Sequence, residues 1–114
     1  MPSLRESTTA VIARGDTWQG TFATEPYEAA WAARAIVFLR LLKAGGAPAG
    51  TTIEVQISPD GQHWVGEGTT VALPTPSSPV TFAKVKHFGN WLRLAGSLPE
   101  GASCQVVATL QLEG

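Results

Sequence analysis

The 114-residue sequence predicts an all-β fold, an antiparallel β-sandwich of jelly-roll type. Three observations predict it. Ile53, Val55 and Ile57 alternate with Thr52, Glu54, Gln56 and Ser58, the period of a strand with one apolar and one wet face, because successive side chains point to opposite sides. A tight-turn signal follows at once in Pro59-Asp60-Gly61, where Pro pre-sets φ and Gly takes a positive φ. Turn residues then recur about every ten positions, the spacing of a sandwich or barrel with about eight strands.

In chain order, Thr8 to Arg14 reads as a first strand, with Gly15-Asp16 as its turn and Trp18 to Thr24 as the return. Glu25-Pro26-Tyr27 breaks that run. Ala29 to Lys43 is rich in helix formers, and Trp31, Ala35, Phe38 and Leu42 would form a helical stripe. Arg34, Arg40 and Lys43 are, however, scattered around such a helix instead of sharing a face. Read as a strand from Ala33, the segment sends Ile36, Phe38 and Leu42 one way and Val37, Leu39 and Leu41 the other. That pattern suits a central strand covered on both sides. The strand reading is adopted.

After the loop Gly45 to Gly50 comes the Thr51 strand, and after its turn Trp64 points an aromatic back at the same layer. Val65 to Leu73 is a shorter strand, and Pro74 to Pro79 a loop by composition. Val80 to Val85, Trp91 to Ala95 and Ser103 to Leu112 complete the set. In the last, Cys104, Val106, Ala108, Leu110 and Leu112 share one face, and Val107 is the single apolar residue on the other. Ile53, Val55, Ile57, Val106, Ala108 and Leu110 are therefore expected in one buried layer, with Trp18 and Trp91 in the core and Trp31 exposed. Residues 1–7 form a polar N-terminal arm and 8–114 a single domain.

Composition narrows the function. Charged residues are only 15% against 44% hydrophobic, below the usual quarter, which suggests that a partner covers part of the surface. A net charge of −1 gives no electrostatic footprint for nucleic acid, which would need clustered Lys and Arg. The strongest hydrophobic run, Ala35 to Leu39, is broken by Arg40 and far too short to span a bilayer as a helix, and the first residues lack the apolar core of a signal peptide. A chain made and kept in a cytoplasm is expected. The single Cys104 cannot form an internal disulfide.

No residue set reads as catalytic or cofactor-binding. His63 and His87 have no Cys, Asp or Glu partners at zinc-ligand spacing. Asp60, Glu67 and Glu100 sit beside turn glycines as solvated carboxylates, and nothing aligns a pair of them for glycoside hydrolysis. Cys104 reads as a small core hydrophobe. Ser58 to Trp64 is one residue short of the Asp-box of β-propellers and occurs once, whereas a propeller needs several copies. Arg14-Gly15-Asp16 matches an integrin-recognition tripeptide, and Gly-Asp also suits a two-residue turn. Four tryptophans leave a sugar-stacking site open, without a platform to place it on.

The run Leu41 to Pro48, the strand Ile53 to Ser58 with its Pro-Asp-Gly turn and Trp64, and the late strand Asn90-Trp91-Leu92-Arg93-Leu94 resemble small structural proteins of tailed bacteriophages. The similarity covers about the last two thirds of the chain, and a Ser-x-Asp-Gly-x-x-Trp hairpin also occurs in discoidin-like sandwiches. The resemblance implies a non-enzymatic virion component made in the host cytoplasm, without cofactor or metal. A capsid decoration protein on the major capsid shell is its foremost form, with a tail or head-tail joining component next. Such a protein is expected to form a homo-oligomer, foremost a trimer, and to bind neither nucleic acid nor membrane. Leu4 and Arg5 of the arm, together with Trp31, are the residues expected to meet the partner. A carbohydrate-binding module for host attachment is the alternative from another class.

Overall fold

A computed structural model describes residues 7–114. Its elements are β1 (Ser7–Gln19), β2 (Thr21–Ala23), β3 (Tyr27–Glu28), β4 (Arg34–Gly45), β5 (Thr52–Ser58), β6 (Val65–Ala72), β7 (Val80–Val85), β8 (Trp91–Ser97) and β9 (Ser103–Glu113). None of the described residues is helical. The helix-rich composition of Ala29 to Lys43 therefore loses to tertiary pairing: β4 lies between β9 and β7 and is hydrogen-bonded to both.

One sheet has the order β1-β9-β4-β7 and the other β2-β8-β5-β6, with β3 added beside β8. Every paired strand is antiparallel to its neighbour. The chain crosses repeatedly between the sheets, so that β1 closes on β9 and β4 on both β7 and β9. This is the two-sheet jelly roll with interlocked Greek keys.

Between the sheets the inner faces interdigitate. Val37 and Leu39 of β4 and Val106, Ala108, Leu110 and Leu112 of β9 are fully buried, opposite Ile53 and Val55 of β5 and Leu92 and Leu94 of β8. Trp18 is also buried and stacks on Phe22 at 4.5 Å between ring centroids. Ile57 is half-buried and packs against this core from its margin. A register shift between Glu54 and Gln56 bends β5 before Ile57 is reached, so its place in the buried layer is peripheral.

Three local expectations are corrected. Gly15-Asp16 is not a turn: β1 runs through it as one strand of 13 residues, kinked by register shifts at Val11/Ala13 and Arg14/Asp16. Gly15 takes φ +80° there, the conformation of a glycine bulge. The chain reverses instead at Gly20. Trp91 is not a core residue, because it stands beside buried Leu92 on the outward face of β8, under the turn at Gly61. Trp64 likewise covers the outside of its sheet, not the core, with the Arg93 guanidinium 4.2 Å from its ring centroid.

The Pro59-Asp60-Gly61 turn forms as expected, with Gly61 at φ +76°. Ser58 Oγ accepts the Asp60 and Gly61 amides at 3.2 and 2.8 Å, and Asp60 Oδ1 accepts those of Gln62 and His63, both at 2.9 Å. These donors, with the His63 ring 2.6 Å from Oδ2, hold the Asp60 carboxyl well below the usual carboxylate range.

Candidate interaction surface

No further layer of the described residues lies over the apolar side chains of β4 that point away from the core. Ile36 and Phe38 are half-buried and Leu42 is 46% exposed. Their neighbours across the sheet are of the same kind. Val11 of β1, Thr109 of β9, Phe38 of β4 and Phe82 of β7 pair in one row across all four strands. Phe82 is 60% exposed, and its ring lies 6.1 Å from that of Phe38. The adjacent row is Arg14, Val107, Arg40 and Val80, with Val80 55% exposed. On the other side the row is Thr9, Gln111, Ile36 and Lys84. The result is an apolar stripe on the outer surface of the sheet, interrupted at its flanks by long cations. Monomeric proteins seldom leave large contiguous apolar patches to water, and those that occur mark binding sites.

Arg34 and Glu113 form an ion pair of 3.2 Å at one end of this face. Beside them Lys84 and Lys86 line a hollow of about 270 Å³ floored by Ala35, Ile36 and Val85. At the opposite end Lys43 pairs with Gln105, whose side-chain amide donates to the Gly15 carbonyl at 2.9 Å.

The second sheet presents a different outer surface. Thr21, Thr52, Glu54, Gln56, Thr70, Arg93 and Ser97 line a shallow trough. Small residues at Ala23, Ala95 and Gly96 deepen it. Arg93 Nε donates to Gln56 Oε1 at 2.8 Å, and Gln56 Nε2 donates to Glu54 Oε1 at 2.6 Å. With Trp64 stacked on Arg93, four side chains form one polar ladder across β8, β5 and the turn.

Of the residues expected to meet a partner, Leu4 and Arg5 lie outside the described residues, as does most of the arm. Trp31 is 39% exposed in the turn ahead of β4. That turn is tied to the end of the first sheet, where the Ala33 amide donates to the Glu113 carbonyl at 2.8 Å. Val11, Phe38, Val80, Phe82 and Val107 were not singled out as contact residues, although Val107 and the doubly apolar β4 break the alternation that the rest of the sheet obeys. Arg14 and Asp16 stand on a kinked strand, the Arg14 amide donating to Asp16 Oδ1 at 3.2 Å, and no protruding loop displays the tripeptide.

Among the described residues no group of three or more His, Cys, Asp or Glu side chains converges as metal ligands would. Cys104 is buried, which pushes its thiol pKa up. No helix of the described residues is long and apolar enough to cross a membrane. No protein-family model matches the chain, and no curated protein matches it.

Proposed function

We propose that this chain is a structural protein of a tailed-bacteriophage virion, a capsid decoration protein that binds the major capsid shell. The observation that carries the reading is the uncovered apolar row Val11, Phe38, Phe82 with Val80 and Val107 beside it. Burying such a stripe against another protein is worth about 25 cal/mol for each Å² removed from water. With strands about 4.8 Å apart, β1, β4 and β9 about 40 Å long and the six-residue β7 about half that, the four-stranded face measures about 670 Å², somewhat below the roughly 800 Å² per partner of a stable interface. Many copies on one shell would stabilise it collectively. The edge strands β1, β7, β2 and β6 offer a separate route to a homo-oligomer, for which a trimer suits icosahedral symmetry.

The test is co-sedimentation of the purified protein with heads that lack it. Saturation at a fixed number of copies per capsid subunit is expected. Failure to bind heads, with binding to purified tails, would replace decoration by the tail or head-tail joining reading. The polar ladder Trp64, Arg93, Gln56 and Glu54 favours a second reading, a glycan-binding module for host attachment. Quenching or enhancement of tryptophan fluorescence by host-surface glycans, abolished in Arg93→Ala, is its expected signature.

A further inference from the structure

Charge is divided unequally between the two sheets. The strands of the β1-β9-β4-β7 sheet carry Arg14, Arg34, Arg40, Lys43 and Lys84 against Asp16 and Glu113, five cations to two carboxylates, or +3. The strands of the other sheet carry Arg93 against Glu28, Glu54 and Glu67, one cation to three carboxylates, or −2. A net charge of −1 for the whole chain conceals this polarity. The cations are not spread evenly over their face. Arg14, Arg40 and Lys43 stand on one side of the Phe38–Phe82 row, and Lys84 and Arg34 on the other.

We infer that this face docks onto a protein surface whose apolar centre is ringed by carboxylates, so that the molecule sits with its basic sheet inward and its acidic sheet outward. The identity of that surface as an exposed face of the capsid subunit rests on the decoration reading. A second copy of the chain, placed face to face, would set a sheet of +3 against another of +3, a like-charge juxtaposition that disfavours self-docking. A single-stranded nucleic acid would need cations that follow its backbone continuously past the aromatics it stacks on, and here Arg14, Arg40 and Lys43 are parted from Lys84 and Arg34 by the apolar row of Val11, Phe38 and Phe82. Paired rim charges steer the encounter and fix the orientation, and the apolar row supplies the affinity.

The experiment is binding of the full-length chain to heads at low and high salt. Wild type is compared with the charge reversal Arg40→Glu/Lys84→Glu, with Phe82→Ser and with Glu67→Lys on the opposite sheet. Arg40, Lys84 and Phe82 are exposed, so the variants of the basic face should keep the wild-type circular dichroism and melting temperature. Expected are affinity falling with salt for the wild type, a loss of at least about tenfold for each variant of the basic face, and no change for Glu67→Lys. Wild-type binding by Arg40→Glu/Lys84→Glu would overturn the inference while leaving decoration intact, as would loss of binding confined to Glu67→Lys. Absence of wild-type binding to heads would remove the decoration reading itself. Wild-type affinity for a labelled single-stranded oligonucleotide that the double reversal abolishes would replace the protein partner by nucleic acid.

Discussion

Replacing Leu39 by Ala tests the assignment of inside and outside on β4. Leu39 is fully buried, and its register partners on the inner face are Ala108 of β9 and Thr81 of β7. Both are small, and Thr81 is held in place by a hydroxyl hydrogen bond of 2.6 Å to the Ala72 carbonyl. Neither can move in to fill the space. Loss of the buried methyl groups and the unrelaxed cavity together cost about 2 to 5 kcal/mol for such a substitution, and the upper half of that range is expected here. Since domains of this size have about 5 to 15 kcal/mol in total, the variant should unfold at a much lower urea concentration. Its melting temperature should fall by roughly 10 to 20 °C. Fluorescence of buried Trp18 reports the transition. The control is Phe82→Ser, on the neighbouring strand but on the outward face, which should change stability by about 0.5 kcal/mol or less. A loss below about 1 kcal/mol for Leu39→Ala, or a larger loss for Phe82→Ser than for Leu39→Ala, would mean that the two faces of this sheet are assigned the wrong way round.

Gly45→Ala should destabilise by about 1 to 3 kcal/mol, because a Cβ there would overlap the Ser103 backbone on β9; an unchanged urea midpoint would place the β4–β9 pairing elsewhere. Cys104, buried with its thiol pKa raised, should resist alkylation by iodoacetamide at neutral pH until denaturant is added, and rapid labelling of the native protein would contradict its position. Asp60 should titrate below other carboxylates when followed by NMR, since its ionised form accepts the turn amides. Its folded pKa is depressed, so any contribution to the turn is present above about pH 4 and is lost only as pH falls further toward the folded value. An ordinary carboxylate pKa would show that the turn hydrogen bonds do not persist in solution.

Period-two alternation made most of the fold legible, and it located β5, β7 and β9 almost to the residue. It could not distinguish a turn from a bulge at Gly15-Asp16, since both require a glycine at positive φ and differ only in what the next residues pair with. Those partners, Val106 and Val107, lie some ninety residues away. Nor does alternation say which of two faces is inner when both ends of a hairpin carry aromatics. Trp91 reads inward from its place in an alternating strand and Trp64 from its place after the turn, yet the sandwich already fills its interior with Leu92, Leu94 and Val55. The two rings instead lie on the outward side of β8 and its neighbouring turn.

The candidate surface was written in the sequence as a set of failures of that same rule. A β4 apolar on both sides implies cover on both sides, as holds for a strand inside a larger protein. In a jelly roll of two sheets only one side of each sheet can face the core. The second apolar side of β4 therefore has to be shared with something outside the described residues or left wet. Val107, the lone apolar departure on β9, stands opposite Arg40, and Phe82 on β7 stands opposite Phe38. Three departures on three strands that meet side by side are hard to ascribe to chance surface hydrophobes, which are scattered singly. Local composition could not reveal that they meet, because only the β4–β9 and β4–β7 register brings them together. Once that register is known, the surplus apolar residues of the outer face and the low charge of the chain both support the proposed role, a surface kept for a partner.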